Sequence, residues 1–237
     1  MATTTLRPLT GFRPDLRMEK KLLKGGVVRL AAMDEVGRGA LAGPVTVGVV
    51  IVTASVGRVP QGLRDSKLLS AARREALVTP IRRWAPQHGV GHATADEIDT
   101  VGIMRALRLA GERALALAGD YDAVLLDGNH NWLTPPATLF EFDLDGETGS
   151  GGDEVPPART DAPVHLRIKA DLSCATVAAA SVLAKTERDR IMTELGPEHP
   201  EFGFDINKGY GTPEHKDALR RLGPSAVHRR SWRLGLS

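Results

Sequence analysis

Apolar residues along this chain fall into a few dense runs separated by polar, glycine-rich stretches, and the spacing within each run predicts an element. Val27 to Asp34 reads as a short strand that runs into two adjacent acids, Asp34 and Glu35. Val45 to Val52 is a continuous β-branched run and predicts a second strand, antiparallel to the first. Ser70 to Ala85 is helical in pattern. Ile98, Val101, Met104, Leu107, Ala114, Leu115 and Ala118 then recur at helical spacing. Thr94 and Glu97 supply a capping box ahead of them and Gly119 a terminator, so one long helix is expected from Thr94 to Gly119. Ala123 to Asp127 is a short buried strand ending in an acid, followed by Gly128. Val164 to Asp171 predicts a third strand of the same kind, again closing on an acid. Ser173 is expected to cap a helix reaching about Leu195, and its first half, Ala175 to Ala184, is small or apolar enough to lie close against a sheet. Asn207 to Pro213 reads as a loop, with Pro213 opening a short amphipathic helix.

Two stretches lack such patterning. Residues 1–26, rich in Thr, Arg, Pro and Lys, read as a flexible arm. Residues from about 134 to 163, rich in Gly, Pro, Asp and Glu, read as a mobile insertion. The rest, 27–237, is expected to form one domain with a C-terminal helical region from about 197. Charge follows the same division. Thr134 to Val164 holds seven acids against Arg159 alone, for a local charge of −6, which leaves +8 on the remainder. A basic body of that kind suits a polyanionic partner. A single cysteine, Cys174, excludes a disulfide framework and a cysteine-rich zinc site. Val45 to Val56 is too short and too interrupted to span a bilayer, and Met1 to Lys24 has no signal-peptide core. A cytoplasmic protein without a membrane role is expected.

The chemistry lies where the strands stop. Asp34 with Glu35, Asp127, and Asp171 all stand at predicted strand ends, where open α/β sheets collect functional groups. Neighbouring strand residues point to opposite faces, so Asp34 and Glu35 are expected to converge only if the strand ends or bulges there. Four acids with no interleaved His or Cys form a hard oxygen site for Mg²⁺ or Mn²⁺ and not for zinc. Without cations they would repel and raise one another's pKa. Two ions about 4 Å apart could activate a water and stabilise the leaving oxygen of a phosphodiester. Gly37-Arg38-Gly39 follows at once and suggests a phosphate beside the metal. Asp189 is left out: it lies 18 residues beyond Asp171, roughly 27 Å along a continuous helix.

Six blocks resemble, in order, the signatures of the bacterial ribonuclease HII family: Met33–Val45, Asp65–Ser70, Leu126–Asn129, Lys169–Asp171, Ala178–Lys185 and Lys208–His215. The resemblance covers about residues 27–235. It implies an α/β, RNase H-like fold, with a central five-stranded mixed sheet flanked by helices and a C-terminal helical extension. It also implies a metal-dependent endonuclease acting as a monomer on RNA–DNA hybrids and on duplex DNA with embedded ribonucleotides. The cut would fall 5′ to the ribonucleotide and leave 3′-hydroxyl and 5′-phosphate ends.

Carried over position by position, the resemblance makes Asp34, Glu35, Asp127 and Asp171 the ligands of two Mg²⁺ or Mn²⁺ ions. Gly37, Arg38 and Gly39 would sense the ribose 2′-hydroxyl, the group that distinguishes RNA from DNA. Tyr210 would pack on the deoxyribose that follows the ribonucleotide, and Lys67, Lys169 and Lys185 would meet phosphates. Two features depart from the family pattern. The Asp127–Asp171 connection is some 25 residues longer than the family's; it reads as a tolerated surface insertion, or as one that slightly weakens DNA affinity at low salt. Gly102 stands where a polar helix residue is usual and is expected to cost modest stability. Among rivals, ribonuclease HIII would need a folded N-terminal domain, and a junction resolvase would lack the Gly-Arg-Gly and Lys-Gly-Tyr blocks. A catalytically inactive nucleic-acid-binding module would be expected to have lost one of the four acids.

Overall fold

The computed structural model describes residues 13–134 and 161–235. Its frame is a five-stranded sheet of β1 (Leu30–Val36), β2 (Val45–Val52), β3 (His88–Ala93), β4 (Ala123–Asp127) and β5 (Val164–Arg167), lying side by side in the order β3-β2-β1-β4-β5. The first three form an antiparallel meander, while β4 and β5 join beside β1 in parallel. The sheet is therefore mixed, as expected.

Helices cover both faces. Alternation along β1 sends Leu30 and Ala32 to one side, into a core shared with α2 (Ala71–Trp84) and α6 (Ala175–Glu194). Ala31 and Met33 face the other side, under α4 (Ile103–Ala118). With both faces covered, β2 is buried at all eight positions, which is why its sequence is unbroken apolar and not alternating. The small residues of α6 let it lie against the strands: a Cβ on Gly48 would fall 2.2 Å from the Ala180 carbonyl oxygen.

The C-terminal part is helical, with a 3₁₀ turn at Pro200–Phe202, α7 (Phe204–Asn207) and α8 (Pro213–Leu222). It has its own small core of Phe202, Phe204, Ala218, Leu219 and Leu234, closed by Ala42 from the main domain and Met192 from α6. The final turn is tied down by Asp99 of α3 (Ala95–Val101), whose carboxylate accepts from the Arg230 and Ser231 amides.

Several expectations need correction. β1 starts at Leu30 and runs through both acids to Val36, since each keeps a partner on β2. β5 stops at Arg167; Lys169 then takes a left-handed conformation (φ 56°), and Asp171 sits in the one-turn α5 (Ala170–Ser173), not at a strand end. Ser173 does not cap α6; the cap position is Cys174, which makes no side-chain bond there. The long helix from Thr94 is two helices, broken at Gly102, whose φ of 78° belongs to neither. Gly102 is the joint between α3 and α4 rather than a weak point inside one helix. The capping box of Thr94 and Glu97 and the Gly119 terminus are present.

The arm also needs correction. Arg17–Lys24 is a helix, α1, docked on the sheet side that carries α6. Its Glu19 is buried and accepts from the Thr176 amide (3.0 Å) and hydroxyl (2.8 Å), so the first turn of α6 is capped from another element. Asp15 is bridged to Cys174 through two backbone hydrogen bonds. Periodicity could not reveal an eight-residue helix whose purpose is this contact. Most of the acidic insertion, residues 135–160, lies outside the described residues, as do residues 1–12.

Candidate active site

Strand pairing creates the site. On its β4 side, β1 is paired only as far as Met33, opposite Leu126, while on its β2 side pairing continues to Val36. β1 thus outruns β4 and leaves an open notch at the C-terminal ends of two parallel strands. Asp34 and Glu35 stand on opposite faces of this protruding segment, and Asp127 closes the shorter strand beside it. The strand neither ends nor bulges at the two acids. Convergence comes instead from the missing neighbour, because side chains from either face can lean into an open edge.

Asp171 reaches the same notch through the left-handed turn at Lys169. The amide of Ala170 donates to the Asp127 carboxylate at 2.6 Å, which stitches the end of β4 to the start of α5. A left-handed lysine is strained and persists only where its surroundings fix it. Among the described residues the one other such non-glycine is Lys208, next to Tyr210.

The four acids feel one another. Burial pushes the Asp34 carboxyl far above its ordinary range; a hydrogen bond from the Ser181 hydroxyl opposes this, and repulsion from Glu35, Asp127 and Asp171 adds to it. Glu35 is raised by burial and by Asp127, with Arg38 and Lys67 pulling the other way. Asp127 is raised by burial and by Asp171 against the Ala170 hydrogen bond. The local cation is Lys67, whose ammonium lies 3.0 Å from the Asp171 carboxylate. Burial acts against the Lys67 charge, but Asp171, Asp34 and Asp65 override it and raise its pKa. Asp65 fixes the Lys67 backbone by accepting its amide at 2.9 Å.

Among the described residues, no group of three or more His, Cys, Asp or Glu side chains is gathered so as to hold an ion as it stands. Lys67 engages Asp171 and the Ala170 amide engages Asp127. The donor chemistry nevertheless fits a divalent ion: four carboxylates, no nitrogen or sulfur ligand, and repulsion that an added cation would relieve.

The other candidate residues divide. Lys169 is exposed beside the acids. Lys185 is half-buried and paired with Asp189 at 2.5 Å, and Asp189 also binds Arg74 at 2.9 Å. Asp189 therefore belongs to its own ion-pair network, in keeping with its exclusion. Tyr210 lies over this region, its ring centroid 5.7 Å from the Lys185 ammonium and 5.4 Å from the Arg188 guanidinium. Gly37 is required twice over: its φ is 84°, and a Cβ there would lie 2.0 Å from Arg188 Nε. Above Gly39 there is open space, and the Arg38 side chain is exposed.

Sequence reasoning missed the residues that hold these loops. Arg188 and Arg229 are both fully buried and bind backbone carbonyls. Arg188 donates to Pro44, Ala42 and Lys208, and Arg229 to Gly37, Arg38 and Gly43. Arg229 is thus anchored inside the fold and is not a surface arginine. Arg188 did carry a signal, since Ala184, Arg188 and Met192 follow one helical stripe whose other members are core.

Beneath Tyr210 lies a second missed cluster. His215 and His228 are buried with their Nε2 atoms 2.9 Å apart. The Ser225 amide donates to His228 Nδ1, so neutral His228 carries its proton on Nε2 and gives it to His215 Nε2. His215 is then left to donate from Nδ1 to the Tyr210 carbonyl at 2.9 Å. Burial, together with His215, His199 and Arg230, pushes the His228 pKa down to about 4.

Comparison with known proteins agrees with the geometry. Residues 31–234 match the family model for ribonuclease HII. The chain is 46% identical over 208 residues to a ribonuclease HII of Streptomyces avermitilis, covering 87% of this chain and 78% of that protein. To a ribonuclease HII of Paracoccus denitrificans it is 44% identical over 223 residues, covering 92% and 91%. Among solved structures, the ribonuclease H2 of Pyrococcus horikoshii superposes with a TM-score of 0.62 at 23% identity, over 87% of this chain and 95% of that one. An RNase HII of Archaeoglobus fulgidus, solved in complex with PCNA, gives 0.61 at 26% identity over 86% and 93%. A Bst-RNase HIII in complex with Mn²⁺ gives 0.59 at 20% identity over 91% and 70%.

Proposed function

The chain belongs to the ribonuclease HII family and is a ribonuclease H, and from its four mutually repelling carboxylates we propose that it cuts the phosphodiester 5′ to a ribonucleotide, in hybrids and in otherwise all-DNA duplexes. The observation that carries this reading is the notch itself. Asp34, Glu35 and Asp127 are each pushed up by burial and by neighbouring acids, at the point inside the sheet where β1 outruns β4.

Asp34, Glu35, Asp127 and Asp171 would hold two Mg²⁺ or Mn²⁺ ions, which when bound supply an activated water and charge neutralisation at the cleaved phosphate. The chain's own residues do the rest. Ser181 donates to Asp34 and is itself bonded to Ser66 at 2.8 Å, so the deepest carboxylate is oriented from the α6 side. Lys67 balances Asp171, and would be free to meet phosphate where a bound cation took over that role. The Gly37–Gly39 backbone, exposed at Arg38 and Gly39, senses the ribose hydroxyl, while Tyr210 packs on the sugar that follows. Lys169 and Lys185 would line the approach of the phosphates, Lys185 less freely because of Asp189. On this reading the protein acts as a cytoplasmic monomer, making the incision that begins ribonucleotide removal from replicated DNA. No described helix is long and apolar enough to cross a membrane.

The test is an end-labelled DNA duplex bearing one ribonucleotide, incubated with Mg²⁺, Mn²⁺ or chelator and resolved at nucleotide level. A single metal-dependent cut 5′ to the ribonucleotide, absent in Asp127→Asn, is expected. Cleavage of all-RNA strands alone would overturn the junction-sensing roles of Gly37 to Gly39 and Tyr210. No cleavage of any duplex would favour a binding module.

A further inference from the structure

Buried guanidinium groups are normally matched by carboxylates, because an unpaired buried charge is costly. Arg188 and Arg229 break that rule together. Among the described residues neither forms an ion pair, and their neutralisation comes from six backbone carbonyls. Arg229 also packs its guanidinium 4.8 Å from the Trp232 ring centroid. Burial and the nearby Arg188 charge lower its pKa to about 9.

Such a grip has a direction. Arg229 Nη2 donates to the Gly37 carbonyl at 2.7 Å and Nη1 to the Arg38 carbonyl at 2.9 Å, so both oxygens point into the protein. In a planar trans peptide the N–H points opposite to the C=O. With two successive carbonyls held inward, the amides of Arg38 and Gly39 must point outward. Both residues are exposed, and nothing would come within 4 Å of a Cβ on Gly39. Among the described residues neither amide has an acceptor, whereas the next one, Ala40, donates back to Gly37. Arg188 extends the arrangement to the Tyr210 loop, since it binds Ala42 and Pro44 on one side and Lys208 on the other.

We propose that Arg229, seconded by Arg188, is a positioning residue for ribose recognition, whose fork holds two peptide planes so that the Arg38 and Gly39 amides form a ready donor pair for the 2′-hydroxyl oxygen. The inference deepens the proposed function and rests on it. A lysine at 229 would keep the charge but lose the fork, because one ammonium cannot hold two successive carbonyls in fixed directions.

The decisive measurement is ribose discrimination in binding. It uses the full-length chain with Asp127→Asn to prevent cleavage, on a duplex carrying one ribonucleotide and on its all-DNA counterpart. Adding Arg229→Lys is expected to lower the ratio of the two affinities about tenfold, the worth of two neutral hydrogen bonds, while affinity for the all-DNA duplex stays the same. In the cleaving background, kcat/KM on the ribonucleotide duplex should fall by a similar factor. An unchanged ratio in a folded Arg229→Lys protein overturns the inference, and so does an equal loss of affinity for both duplexes. If Arg229→Lys does not fold, Arg229→Ala with added methylguanidinium takes its place. Discrimination that returns with the additive supports the role, and discrimination that stays absent while the fold is restored rejects it. A parent protein that cleaves ribonucleotide duplexes while Arg229→Lys behaves like it refutes only the positioning role. A parent that neither cleaves nor prefers the ribonucleotide duplex refutes the proposed function.

Discussion

Two regions only a few residues apart in the chain use charge in opposite ways. At the notch, four carboxylates stand close enough to repel one another, with the Lys67 ammonium on one of them, and three are held above their ordinary pKa range. Around Gly37 to Pro44, two buried guanidiniums bind five carbonyls of that loop and a sixth at Lys208, with every distance between 2.7 and 3.2 Å. The first region is in tension, which an added cation would relieve. The second is over-determined and needs nothing further. The contrast teaches that buried charge can serve two ends: one region holds unfavourable electrostatics that a cation would relieve, and the other uses hydrogen bonds to keep a backbone from moving.

The comparison breaks most visibly at Asp34. Asp34→Asn should reduce cleavage by about a thousandfold or more, read as single-turnover rate. The same change should stabilise the metal-free protein. A carboxyl whose folded pKa is raised above its ordinary 3.8 destabilises the fold as pH rises through that window, and an amide removes the effect. A Tm about 3 °C higher at neutral pH in chelator is expected, with a smaller gain on adding Mn²⁺ than in the parent. A fall in Tm instead would mean that the notch is not in tension.

On the other side, Arg188→Met should cost about 4 kcal/mol in denaturant unfolding, because it leaves two buried carbonyls and a half-buried one without their donor. A loss below about 1 kcal/mol would show that the loop does not depend on it. The histidine pair sharpens the contrast through pH. His228 is held neutral, with its pKa moved from 6.5 to about 4. The unfolded chain binds that proton first, so stability is complete above about pH 6.5 and is lost as pH falls toward 4, by at most about 3 kcal/mol. His228→Gln should flatten that part of the stability profile. The smallest effect is expected at Glu19: Glu19→Ala removes the distant cap of α6 and should cost about 1 kcal/mol.

What the sequence revealed follows the same line. β2 and β4 are apolar runs bounded by acids or glycine, and the α3 cap is a local pattern, so both were legible. β3 was not, because His88-Gly89-Val90-Gly91 replaces two of the expected apolar residues with glycines that make room for α4. The acids of the notch stood out because carboxylates are rare inside apolar strands. Their convergence was misread, since it depends on where β4 stops pairing and not on the β1 residues themselves. The arginine grip left almost no local trace: Arg229 meets Gly37 across 192 residues, and nothing in His228-Arg229-Arg230-Ser231 separates the buried arginine from the exposed one.

Those long separations also set an order of events during synthesis. Glu19 leaves the ribosome 157 residues before Thr176, the group that it caps. At about 5–20 residues per second, α1 waits roughly 8–30 s with its docking face uncovered, a natural target for chaperones. Arg229 arrives later still, 58 residues after Asp171, the last of the four acids. A growing chain therefore acquires all four acids before the clasp on Gly37.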